Sequence, residues 1–253
     1  MYNIMHTSKT GMSANQNKID IISNNIVNSQ TTGYKKLDIE FLDLYTETLD
    51  RPSYPNNSKD SVMGTGVKTS QATRNFMQGS LKNTGIDTNL AIDGEGFFKV
   101  MTPDGTQKYT RNGEFVLDGN GRLVDDYGNI LEVKYDNGMP PQGANLSNGE
   151  LSINKAGEVF LDKQKVGKID LYMPQGDNDL IPVGDSLFVL KEQAGTYIVE
   201  DKKLLQGHVE MSNVNMQGEM TDLIMAQRAF QFNSRGIKAV DEMWSMINNL
   251  QGR

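Results

Sequence analysis

The sequence predicts an α+β fold: N- and C-terminal α-helices forming a coiled-coil-like module, with an inserted, mainly antiparallel all-β domain. Three observations lead there. Apolar residues recur by threes and fours near both ends of the chain, which is the helical seam pattern. From about Gly85 to Val209 the period drops to two, as in half-buried strands. The turn pairs Asp104-Gly105, Asn112-Gly113 and Asn137-Gly138 punctuate that middle region.

In the N-terminal segment Met5, Met12, Ile19 and Ile26 are spaced by sevens, with Ser8, Asn15 and Ile22 three residues after the first three. That is an a/d seam of about three heptads, polar only at Ser8 and Asn15. The helix is expected to end near Asn28. There the stripe gives way to a collar of uncharged polar residues, Asn24, Asn25, Asn28, Ser29, Gln30, Thr31 and Thr32, closed by Gly33. Short amides and hydroxyls compete for backbone hydrogen bonds, and glycine accepts positive φ.

Residues 45–80 read as extended or loop-like, with Pro52 and Pro55 near one end. Beyond them come short runs of β-formers: LAIDG, GFFKVM, QKYTRNGEFVLD, GRLVDD, ELSINKAGEVFLD, GKIDLYM, SLFVL and TYIVE. The Asn112-Gly113 pair is expected to turn a tight hairpin, and turn spacing of eight to twelve residues points to a sandwich or barrel-like module.

The C-terminal segment repeats the first design more strongly. Leu223, Ala226, Phe230, Asn233, Ile237, Val240, Trp244 and Ile247 alternate by three and four, and Ser212 or Asn213 is the expected N-cap. Each seam carries an Asn at a d position, Asn15 and Asn233, a device that can fix register at a cost in stability. Such faces need cover, from the other terminal helix or from copies in neighbouring molecules. The expected division is 1–34 with 211–253 as a helical assembly module, 35–84 as an extended arm, and 85–210 as the β-rich domain.

Composition narrows function by exclusion. The 253 residues include no cysteine and two histidines, which argues against disulfides, thiolate chemistry and zinc. The net charge of −7, with no basic block, argues against nucleic acid as a partner. No run approaches a membrane span, so membrane insertion is not expected. The first residues lack the apolar core of a cleaved secretion signal. Asp118-Gly-Asn-Gly121 resembles a calcium loop, but Arg122 and Leu123 stand where an EF-hand wants an oxygen ligand and glycine, so it reads as a turn. Gly94-Glu-Gly96 lacks a dinucleotide loop's third glycine, and Ser152-Ile-Asn-Lys155 lacks the companion motifs of S-x-x-K enzymes. No catalytic constellation emerges, and no cofactor is expected.

Three stretches carry a family likeness. "GMSANQNKIDIISNNIVNSQTTGYKK" resembles the N-terminal motif of the bacterial flagellar rod and hook axial proteins, with Asn24, Asn25, Asn28, Thr32, Gly33 and Tyr34 in the expected places. "AIDGEGFF" and "YTRNGEF" are similar to that family's central motifs. "EMSNVNMQGEMTDLIMAQRAFQFNSRGIKAVDEM" resembles its C-terminal motif, with Ser212, Asn213, Val214, Gln227 and Arg228 in register. The resemblance implies a structural, non-enzymatic subunit that self-assembles into a helical homopolymer of the flagellar basal body. It further implies neighbouring rod and hook proteins and the flagellar type III export apparatus as partners, with export needing no cleaved signal. A secreted wall-binding β module, or a wall hydrolase with paired acids, are the competing readings from other classes.

Overall fold

The computed structural model describes residues 2–44, 46–48, 62–135, 146, 149–176, 179–192, 194–200 and 202–251. The turn expected at Asn137-Gly138 lies outside these residues. The fold is α+β, with a helix at each end and antiparallel strands between them. The chain divides into two compact units: residues 1–27, 37–75 and 215–253 form one, and residues 28–36 with 76–214 form the other.

In the first unit, helix α1 (Tyr2–Val27) packs along helix α2 (Met216–Gln251). Their direction follows from three near approaches. Gly236 faces Ser8 and Gly11 faces Asn233, while Asn25 donates to Glu219. As α1 ascends, α2 descends, so the pair is antiparallel. At ~1.5 Å per residue the helices are roughly 39 and 54 Å long, and the last turns of α2 project past the start of α1. Ser8, Gly11 and Ala14 are buried, so small side chains let the helix axes approach. The N-cap of α2 is neither Ser212 nor Asn213. Asn215 Oδ1 accepts the N–H groups of Gln217 (3.1 Å) and Gly218 (3.3 Å), satisfying two orphan donors of the first turn.

The arm in this unit is a paired ribbon. Residues 37–38 pair with 73–74, 41–43 with 67–69, and 46–48 with 62–64, all antiparallel. It is a long hairpin whose register slips by one residue between its first two rungs. Its 67–69 strand lies against α1, where Val67 N–H donates to Thr10 Oγ1 (3.4 Å) and Asn17 Nδ2 to Thr69 Oγ1 (3.2 Å).

The second unit is the β body. Strand 97–101 lies between 107–110 and 130–131 in an antiparallel sheet that runs from 116–117 at one end to 180–184 at the other. A four-stranded sheet is built from 134–135, 164–168, 158–161 and 151–153. Neighbouring residues of strand 97–101 point to opposite faces, and the core follows that alternation. Phe98 and Val100 pack with Phe115, Leu123, Val159, Ile169, Leu171 and Leu204, all essentially sealed from solvent. Phe97 faces the other way, with Tyr109, Tyr172, Leu180 and Phe188. Each such side chain contributes about 2 kcal/mol by burial.

Asn112-Gly113 does not turn a hairpin. Strand 107–110 pairs with 97–101 and 187–190, whereas 116–117 pairs with 123–124. Gly113 is there for close approach: its carbonyl accepts Leu90 N–H at 2.9 Å. A Cβ at Gly113 would lie 1.6 Å from Leu90 O. Asp104-Gly105 does turn a hairpin, with Gly105 at φ 79°. Asp118–Gly121 is likewise a turn, in which Asp118 Oδ1 accepts N–H from Asn120 (2.8 Å) and Arg122 (2.9 Å).

Candidate functional site

The seam residues lie along the α1–α2 pair. Ile22, Ala226 and Val240 are buried there. Met12, Asn15, Ile19, Ile26, Leu223, Phe230, Asn233, Ile237 and Ile247 are half-buried. Met5 and Trp244 remain 42 % and 38 % exposed. Trp244 belongs to the last third of α2. The two seam amides do not meet. Asn15 Nδ2 donates to Gly11 O one turn back (2.7 Å), and Asn233 lies beside Gly11.

The polar collar is used inside the chain. Asn25 is wholly buried and mimics a strand neighbour for Leu37: its Oδ1 accepts Leu37 N–H and its Nδ2 donates to Leu37 O, both at 2.9 Å. The same amide donates to Glu219 Oε2 at 3.1 Å. One side chain thus joins the end of α1, the start of the ribbon and the first turn of α2. Asn24 is exposed, and Asn28 opens a 3-10 turn, Asn28–Gln30. In the β body the Thr32 hydroxyl lies 3.0 Å from Asn112 Oδ1. Gly33 takes φ 66°, its N–H donating to Glu210 O (2.8 Å), and Tyr34 is buried. Ser212 Oγ accepts Val214 N–H (3.3 Å), and Asn213 bridges Lys36 N–H and Met77 O. Gln227 and Arg228 are exposed on α2.

Sequence reasoning missed the most buried charged cluster among the described residues. Glu210 Oε1 accepts from Lys35 Nζ at 2.6 Å and from Gly79 N–H at 2.9 Å, while Oε2 accepts from Arg111 Nη1 at 3.2 Å. Lys35 and Glu210 are 1 % exposed and Arg111 is 3 % exposed. Lys35 also donates to Met77 O, Arg111 to Gly94 O, and the guanidinium stacks over Phe97. Burial pushes the Lys35 ammonium below its ordinary range, with Glu210 opposing and Arg111 assisting. Arg111 is lowered by burial too, against the pull of Glu210. Two cations thus share one buried carboxylate inside the β body, with carbonyls and a ring face as further partners. A second buried group, Asp170, sits between Lys202 and Lys134. Burial raises its pKa, but the two lysines outweigh that and hold it below the usual carboxylate range.

Lys35, Arg111 and Glu210 come from three distant stretches, GYKK, YTRNGEF and EMSN, and each of the three residues lies within a different family match. The chain matches "Flagella basal body rod protein" over residues 5–35. It matches "Flagellar hook protein FlgE/F/G D1 domain" over residues 91–161 and "Flagellar basal body rod FlgEFG protein C-terminal" over residues 205–250. It is 33 % identical to the flagellar basal-body rod protein FlgG of Borreliella burgdorferi, with 99 % of each chain covered. The chain belongs to the flagellar basal-body rod family. It is also 33 % identical to FlgG of Buchnera aphidicola from Schizaphis graminum, covering 96 % of this chain and 97 % of that one. Against the rod protein FlgF of Caulobacter vibrioides it is 34 % identical, covering 91 % and 90 %. Each of the three family matches contributes one charged member of the buried cluster, so in this chain these regions converge on a single ionic centre. The signal was present as a lone charge within each motif, but not its convergence.

Proposed function

We propose that this chain is a structural, non-catalytic subunit of the distal part of the flagellar rod. Its copies stack head to tail into a hollow helical shaft that links the motor to the hook. Full-length likeness to FlgG rod proteins carries this reading. The structure supports it physically. Ile4, Met5, Met220, Ile224, Met225, Phe232, Met246 and Leu250 leave large apolar surface open on the two helices. Apolar surface of that kind marks a contact site, and head-to-tail contacts that do not close give filaments. The seam and motif residues act in this reading as assembly residues. Passage through the type III export apparatus brings the chain to the basal body without a cleaved signal, and neighbouring rod and hook proteins cap the ends of its polymer.

In a strain lacking its rod gene, the full chain should restore basal bodies with rods, visible by electron microscopy. A chain lacking residues 1–28, or carrying Phe230→Asp, should not. Rods built from either variant would refute the reading. The likeness to FlgF favours a second reading, a proximal rod subunit of similar length. Immunogold labelling of the rod separates the two: distal label lies beside the hook, proximal label beside the motor.

A further inference from the structure

The β body is closed by its own last strands. Residues 208–210 pair antiparallel with 81–83, and 204–206 with 90–92. The corner between the two late strands is held as firmly. Gly207 O accepts Thr84 N–H at 2.8 Å, Gly207 N–H donates to Asn89 O at 2.8 Å, and Lys203 O accepts Asp93 N–H at 2.8 Å. The same late stretch fastens the four-stranded sheet. Gln206 Oε1 accepts Ile153 N–H (2.9 Å), while its Nε2 donates to Leu151 O (3.0 Å) and Asp87 O (2.8 Å). Leu204 N–H donates to Lys155 O (3.0 Å), and its side chain joins the core with Leu90, Ile92, Val159 and Ile169. Glu210 then supplies the carboxylate between Lys35 and Arg111.

We infer that residues 204–210 are a folding latch: the β body stays open until this stretch is present, then closes in one step in which Glu210 engages Lys35 and Arg111. Two costs set that order. Until Glu210 arrives, sealing Lys35 and Arg111 desolvates both cations without the anion they share. Glu210 lies 175 residues after the first and 99 after the second, so it is the last member of the cluster in the chain. The second cost is loop closure. Thr84 and Gly207 stand 123 residues apart, and that entropy is lost before the long-range contacts repay it. Local hairpins such as 97–101 with 107–110 form without the latch, but a lone hairpin is marginal in water. Among the described elements only α2 follows residue 210. A chain made from its N-terminus therefore keeps its β body open until it is nearly complete. The inference concerns the order of folding within one chain; it stands or falls independently of the rod reading.

The test refolds the full chain from urea and labels it by pulsed hydrogen exchange at successive times, read by mass spectrometry of its peptides. Peptides covering 97–110, 151–168 and 204–210 should gain protection together, in a single phase. Protection of 97–110 or 151–168 at least about tenfold sooner than 204–210 would overturn the latch. A contact made at the closing step changes the folding rate, whereas one made afterwards changes the unfolding rate. Glu210→Gln should therefore slow refolding of the β body by about tenfold or more, and change its unfolding by less than about threefold. Gln206→Ala, a milder change, should slow refolding by about fivefold, and it keeps the latch open to test if Glu210→Gln does not refold. Wild-type refolding with faster unfolding, in either variant, would make these contacts late supports and overturn the inference.

Discussion

Replacing Glu210 with glutamine removes the carboxylate that Lys35 and Arg111 share while keeping its shape. The buried ammonium and guanidinium would then lose the anion they share, at sites 1 % and 3 % exposed. Breaking a buried ion pair by neutralising one partner costs about 3–5 kcal/mol, because the remaining charge stays desolvated. The amide oxygen can still accept Gly79 N–H, so the estimate belongs at the lower end, about 3 kcal/mol. With a urea slope of about 2 kcal/mol per molar, the β-body transition should move down by about 1.5 M. Near-ultraviolet circular dichroism of the packed Tyr109 and Tyr172 rings, 6.1 Å apart, follows that body. Fluorescence of Trp244, the chain's one tryptophan, follows the helices. Adding Lys35→Met to Glu210→Gln removes one stranded cation and should recover part of the loss. A shift below about 0.3 M for Glu210→Gln, or a double variant weaker than the single, would refute the account of the cluster.

Three further outcomes follow from local geometry. Asn25→Ala removes the side-chain partner of both Leu37 backbone groups and one buried hydrogen bond to Glu219. It should cost about 2–4 kcal/mol and lower the helix melting temperature at 222 nm by about 5–10 °C; a shift under about 2 °C would contradict the assigned role. Gly33→Ala puts a Cβ 2.4 Å from Asn112 N at φ +66°. It should destabilise the β body by about 2 kcal/mol or more in the same urea assay, and an unchanged midpoint would count against the fold there. Hydrogen bonds from Arg122 hold the Asp118 carboxyl at about 2, below its usual 3.8. A depressed acid stabilises above its unfolded value and loses that contribution as pH falls through its folded one. Wild type should therefore exceed Asp118→Asn in melting temperature at neutral pH, with the gap closing between about pH 4 and 2; a gap independent of pH would exclude the linkage.

The terminal helices were legible because a heptad seam is a local property, readable from residue to residue. The inward face of α1 was less so. Gly11 and Ala14 contribute nothing to a count of large apolar residues, yet their smallness is what lets α2 approach. The paired ribbon was hidden for another reason: its rungs join residues as distant as Leu37 and Arg74, and Phe41 and Leu42 break simple alternation. Asn112-Gly113 looked like a hairpin because the dipeptide favours one, but tertiary packing on Leu90 claimed the glycine. The cap of α2 was displaced to Asn215 because Asn213 is engaged by Lys36 and Met77. The ionic centre was least visible, since Glu210 finds partners 175 and 99 residues away. No local pattern encodes such pairings.

Hydroxyl-radical footprinting of the free chain and of the assembled rod addresses the proposed stacking most directly. Met225, Phe232 and Met246 are open in a single copy. If neighbouring copies cover them, their oxidation should fall by about tenfold on assembly, as expected for side chains at a desolvated interface core, while exposed Tyr127 in the β body reacts as before. Equal oxidation of the three helix residues in free chain and rod would contradict it.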